Sequence, residues 1–186
     1  MSFYKLTFDD DLTRWQLRIS RQFPDGTSID VWAYRKCQDV HHKRPVPFEI
    51  ARAGLPVDYN ETAFSAIVVS AKLGQIWKSF APNSVQLLSA KIRNSEEEWH
   101  IANIRDCVDC LDHARSLIKY CSTDDPDRPG KPRSVMRLVI DPAKAKGHHL
   151  FHVSDWKVVT IVTAELKQAM EYAEISGVEY VPAFQD

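Results

Sequence analysis

The chain has 186 residues, 44% hydrophobic and 26% charged, and its 24 Lys and Arg nearly balance 25 Asp and Glu for a formal charge of -1. That length and apolar content suffice for a buried core, and the balanced charge removes any chain-wide attraction toward nucleic acid or an anionic membrane. No stretch approaches the ~18–20 apolar residues of a bilayer-spanning helix, residues 1–11 lack an apolar leader segment, and four cysteines are too sparse for a secreted disulfide framework. A cytoplasmic protein with reduced thiols is expected.

Phe3 to Leu6 and Trp15 to Ile19 predict short strands, the second alternating Trp15, Leu17 and Ile19 with Gln16 and Arg18 so that one face is wet. Pro24-Asp25-Gly26 predicts a turn, and Ile29 to Tyr34 predicts extended structure. Asp39 to Pro47, with His41, His42, Lys43, Arg44 and two prolines, is the most basic segment and predicts loop. Phe48 to Leu55 then begins a new element, because Pro45 and Pro47 donate no backbone hydrogen bond. Residues 1–50 read as amino-terminal strands and a basic loop belonging to the same globule as residues 51–186.

A repeat organises the remainder of the chain. Shifting the sequence by 93 positions lays Ala66–Ala90 over Val159–Ala183 without a gap, with six identical pairs among 25. In the first copy Ile67, Val68 and Val69 predict a strand, and Leu73, Ile76, Trp77 and Phe80 recur at the spacing of a one-sided helix. In the second, Ile161 and Val162 supply the strand, and Leu166, Ala169, Met170 and Ala173 take the helical positions. Ser70 and Thr163 predict N-caps, and Asn83 and Gly177 predict left-handed helix stops. Between the copies, Glu98 to Ile104 predicts a strand, Ser122 to Arg133 a mobile surface excursion without apolar residues, and Val135 to Ile140 another strand. The fold class is α+β: a mixed sheet with two similar strand-helix-strand units and an amino-terminal antiparallel strand region.

The segment Arg105 to Ser116 concentrates reactive side chains. Cys107 and Cys110 form a C-x-x-C, with His113, Cys121 and Cys37 as further soft ligands for zinc, but a second close pair is missing. Redox exchange is disfavoured because Asp106, Asp109 and Asp112 would raise the thiol pKa values. Asp109, Asp112 and His113 imitate an acid/base cluster, although carboxylates on so short a segment more often cap turns. Asp112 and Ser116, four apart, suit a local hydrogen-bonded turn, so Asp109, Asp112 and Ser116 read as a structural motif. His148 and His149 predict a surface turn. No nucleophile elbow, P-loop, dinucleotide fingerprint or zinc-protease helix occurs. No cofactor is expected.

Several short motifs then line up: Leu55-Pro56-Val57-Asp58, Ile67-Val68-Val69-Ser70, Asn103 with Val108-Asp109-Cys110-Leu111-Asp112 and Ser116, Leu150-Phe151-His152-Val153, and Gly177-Val178-Glu179-Tyr180-Val181-Pro182. In order and spacing they resemble the immunity-protein family of bacterial polymorphic-toxin and contact-dependent competition systems, typified by a myxobacterial immunity protein. The resemblance spans Leu55 to Pro182. It implies a non-catalytic protein that binds and neutralises a cognate toxin or secreted effector, and a structural place for Cys110. Residues 1–50 and 119–133 carry no family motif, so contact residues do not transfer. Because loops on a fixed scaffold adapt to a partner, His41, His42, Lys43 and Arg44, and Asp124, Asp125, Asp127 and Arg128, are the candidate contacts. The alternative is a metal- or thiol-dependent enzyme using Cys107, Cys110 and His113.

Overall fold

The computed structural model describes residues 2–183. The chain opens with β1 (Phe3–Phe8) and β2 (Gln16–Ile19), passes a 3-10 turn at Ala33–Arg35, and continues through β3 (Val46–Arg52) and β4 (Tyr59–Glu61). Then come β5 (Ile67–Ser70), α1 (Ala71–Phe80), β6 (Val85–Ile92), β7 (Trp99–Ile104) and β8 (Cys107–Val108). A hairpin of β9 (Leu117–Tyr120) and β10 (Pro132–Arg137) precedes β11 (Leu150–Val153), β12 (Trp156–Thr163), α2 (Ala164–Tyr172) and β13 (Val178–Pro182).

The fold is α+β with mixed sheets, and the two strand-helix-strand units occupy separate sheets. Six strands run in the order β2-β3-β6-β7-β5-β4 and five in the order β13-β1-β12-β11-β8. In the first unit β7 lies between β5 and β6, antiparallel to both. In the second, β1 occupies that position between β12 and β13. On the outer side β4 and β11 pair antiparallel with the first strand of each unit. Four strands and a helix therefore correspond, with the central strand drawn from after the unit in one case and from the amino terminus in the other.

The helices begin where the sequence indicates. Ser70 Oγ accepts from the Leu73 N–H at 3.2 Å, and Thr163 Oγ1 accepts from the Leu166 N–H at 3.4 Å. Their ends differ from expectation. The α1 cap is Ala81, whose N–H bonds the Trp77 carbonyl, and Pro82 comes next because it cannot continue the ladder. In α2 the left-handed residue is Glu174, at φ +51°, and the Ile175 N–H closes onto the Met170 carbonyl. Ile29–Tyr34 also departs from the predicted strand. There the Asp30 side chain accepts from the Trp32 N–H and its carbonyl from the Ala33 N–H, which coils the backbone into the 3-10 turn.

A central apolar cluster packs Leu73 and Trp77 of α1 and Leu166 and Met170 of α2 against Val69, Val85 and Ile104 of one sheet and Leu6, Leu150 and Val162 of the other. Trp77 Nε1 donates to Met170 Sδ at 3.4 Å. The two residues are equivalent under the 93-residue shift, so the units meet through matching positions, as in an isologous contact. The outer face of the six-stranded sheet is covered by Trp15, Phe23, Ile29 and Tyr34, and that of the five-stranded sheet by Val108, Cys110, Leu111 and Ile140.

Asp58 ties the sheets together. Its Oδ1 accepts from Ser70 Oγ at 2.6 Å, and its Oδ2 accepts from the Ser176 N–H at 3.0 Å and Ser176 Oγ at 2.8 Å. Burial opposes ionisation, but the hydrogen bonds from Ser70 and Ser176 outweigh it and hold the carboxyl below its usual range. Beside it Gly177, at φ +83°, lies so close that a Cβ would sit 2.5 Å from the Tyr59 carbonyl oxygen. That glycine serves the junction between sheets, not the end of α2.

Candidate partner-binding surface

The C-x-x-C does not act as a pair. Cys110 is fully buried, with burial and then Asp109 pushing its thiol up to about 12. Cys107 instead meets Cys37, 70 positions away toward the amino terminus. A hydrogen bond from the Cys37 thiol holds Cys107 below the ordinary thiol range; burial opposes this, while Ser154 and Lys157 support it. The expectation that neighbouring aspartates raise both thiols thus holds for Cys110 and fails for Cys107, where Asp106 is a minor influence. Cys37 carries a left-handed backbone, φ +54°, after the 3-10 turn. Nothing local in the sequence marks this pairing.

His113 points elsewhere, stacking on Tyr120 with Nδ1 2.9 Å from its hydroxyl and Nε2 3.4 Å from Asp155. His148 pairs with Asp106 at 2.7 Å and His149 with the Thr163 hydroxyl at 3.1 Å. Among the described residues no three His, Cys, Asp or Glu side chains converge as a metal site. Asp109 is exposed. Asp112 builds a turn: its Oδ1 accepts from the N–H groups of Ala114 and Arg115, and its Oδ2 from Arg115 Nε at 2.7 Å. Ser116 Oγ exchanges hydrogen bonds with the backbone of Val139, locking this turn to the residues after β10.

The two candidate contact loops lie in different places. In the basic loop, His41 and Lys43 are exposed, whereas Arg44 pairs with Asp25 at 2.8 Å and His42 sits 2.9 Å from the Tyr34 hydroxyl. Burial and the neighbouring His41 hold His42 below the usual imidazole range. Asp124, Asp125, Asp127 and Arg128 form the tip of the β9–β10 hairpin. Here Asp125 Oδ1 accepts from the N–H groups of Asp127 and Arg128, and Arg128 Nη2 donates to the Pro132 carbonyl at 2.6 Å. The segment is a hydrogen-bonded turn with specific partners.

That hairpin joins neither large sheet and carries apolar side chains into solvent. Five of the ten large hydrophobic residues exposed among the described residues cluster on it and on the adjacent sheet: Leu117, Tyr120, Met136, Val158 and Val181. Met136 is 68% exposed. Between hairpin and sheet runs a groove of about 560 Å³, walled by Val135 to Val139, floored by Lys5, Val159 and Val181, and closed by Trp156. Lys5, Arg115 and Arg137 line it, and no carboxylate does among the described residues. Arg115 is engaged by Asp112, and Arg137 Nη2 donates to the Arg115 carbonyl at 2.6 Å. No local pattern marks this groove, because its lining comes from segments as far apart in the chain as Lys5 and Val181.

Exposed apolar groups and cations thus lie together on a two-sheet scaffold, and the model of the immunity protein family Imm11 matches residues 9–185. The chain belongs to the Imm11 immunity protein family. The match carries the family likeness beyond Leu55 toward the amino terminus. Structurally, Trp15 Nε1 donates to Asn60 Oδ1 at 2.7 Å, and the Trp15 ring packs 5.3 Å from that of Trp99. No curated protein matches the chain. Among the described residues no helix is long and apolar enough to cross a membrane.

Proposed function

We propose that this Imm11 protein binds a cognate bacterial toxin or secreted effector in the cytoplasm of the producing cell and neutralises it by occupying its surface, without catalysis. The observation that carries this reading is the family match across nearly the whole chain. The structure is compatible with it: neutralisation needs a rigid scaffold offering about 800 Å² to its partner, with aromatic, apolar and arginine groups at the centre. The β9–β10 hairpin, including the Asp124, Asp125, Asp127 and Arg128 tip, is the contact region we favour. The loop bearing His41, His42, Lys43 and Arg44 is a second contact region on the other sheet.

The test is coexpression with the protein encoded by the adjacent upstream reading frame. A toxic product whose growth arrest is relieved by this chain, and which copurifies with it as a stable complex, is the expected result. Continued arrest with no complex would refute the reading. Cys107→Ser is expected to preserve rescue, whereas loss of rescue with intact folding would favour a thiol-dependent activity.

A further inference from the structure

We propose that the groove between β10 and the five-stranded sheet seats an extended segment of the toxin in which apolar side chains alternate with carboxylates. This rests on the immunity reading and adds the chemistry of the contact. Five consecutive residues, Val135 to Val139, line the groove. Val135, Met136 and Arg137 belong to β10, with a register irregularity between Val135 and Arg137 that leaves Met136 without a ladder partner, and Leu138 and Val139 continue the chain beyond the strand. The paired edge of β10 is taken by β9, and its other edge has no strand partner among the described residues. The five-stranded sheet meets the groove with a face, through Val158 and Val159 of β12, Lys5 of β1, and Val181 and Pro182 of β13. The β10 and β13 segments are joined at one end, where the Ile140 N–H donates to the Ala183 carbonyl at 3.2 Å.

An unpaired β10 edge beside an apolar sheet face suits a segment that adds as a strand, with main-chain hydrogen bonds for affinity and alternate side chains for specificity. The apolar side chains of such a segment would cover Met136 and Val181. Its carboxylates match the Lys5 and Arg137 cations, for which no ion pair with a described carboxylate exists. Charge complementarity therefore selects an acidic over a basic occupant, and the contact should weaken as salt rises.

The probe is a capped ten-residue peptide alternating Leu and Glu, compared on the full chain with its Leu and Lys counterpart by NMR titration. The Glu peptide is expected to bind at least tenfold tighter, to shift the amides of residues 135–139 and 181–183, and to lose at least tenfold in affinity to Arg137→Glu. Equal binding of the two peptides, or shifts confined elsewhere, would overturn the assignment. In the toxin complex, Met136→Asp and Arg137→Glu are expected to weaken affinity tenfold or more at unchanged melting temperature. If the complex forms and neither substitution weakens it, the groove assignment fails while the immunity reading stands. If no complex forms but the Glu peptide binds with those shifts, the immunity reading fails and the toxin is overturned as the occupant, while the acidic, strand-adding chemistry assigned to the groove stands. A concentration-dependent dimer abolished by Met136→Asp would identify a second copy of the chain as the occupant and overturn the assignment.

Discussion

Acidification below pH 6.5 should destabilise this protein before most of its carboxylates titrate, because His152 must stay neutral to remain in place. His152, on β11, is 4% exposed, and its Nδ1 lies 2.9 Å from the Val159 carbonyl oxygen. A carbonyl only accepts, so the ring proton sits on Nδ1. Burial lowers the pKa from 6.5 to about 4; the Val159 hydrogen bond opposes this, and the nearby charges of Arg35 and Lys157 reinforce it. Between those values the unfolded chain takes up a proton that the folded chain refuses, so stability is complete above pH 6.5 and falls as pH drops toward 4. A shift of this size is worth roughly 3 kcal/mol in full, most of it lost by pH 4.5. Urea unfolding at pH 7.5 and 4.5 measures it, with His152→Gln as the comparison because an amide can still donate to Val159. Wild type should lose roughly 2–3 kcal/mol more than the variant over this interval. The smaller contribution of His42 is common to both proteins and cancels. Parallel losses would refute the assignment of a buried neutral imidazole.

Asp58→Ala removes the acceptor of three hydrogen bonds, two of them from Ser176 across the junction between sheets, and should cost about 2–4 kcal/mol in urea unfolding. Wild-type stability contributed by this carboxylate is present above about pH 3.8 and lost as pH falls through the lower folded value. Gly177→Ala places a methyl 2.5 Å from the Tyr59 carbonyl oxygen at a left-handed backbone position and should lower stability by about 2 kcal/mol or more; an unchanged melting temperature would show that the junction yields easily. Iodoacetamide at pH 7 should label Cys107 faster than the buried Cys110. Cys37→Ala should slow that labelling by removing the hydrogen bond to the Cys107 thiolate, as peptide mass mapping would reveal.

Much of the scaffold was legible in the chain. The apolar spacing through Leu73, Ile76, Trp77 and Phe80, its echo 93 residues later, and the capping hydroxyls of Ser70 and Thr163 all act within a few residues, so local patterns reported them faithfully. Ile29–Tyr34 was misjudged because its apolar residues are buried as a strand's would be, while the Asp30 side chain bends the backbone. The helix stops were misplaced because a glycine or asparagine is read as a cap by default, whereas Gly177 is needed for close approach and Glu174 takes the left-handed turn. The C-x-x-C was a proximity in sequence that burial of Cys110 dissolved.

Local chemistry thus determined the α+β class, the twice-used strand-helix-strand unit, its helix starts and the motifs of an immunity protein. Tertiary structure alone decided that the two units sit in separate sheets, that β1 fills between β12 and β13 the place β7 fills between β5 and β6, that Cys107 faces Cys37, and that a cationic groove opens beside β10. The physical reason is range: periodicity and capping depend on neighbours within a turn or two of chain. The partner of a strand edge or a thiol depends on where distant segments come to rest when a shared core excludes water.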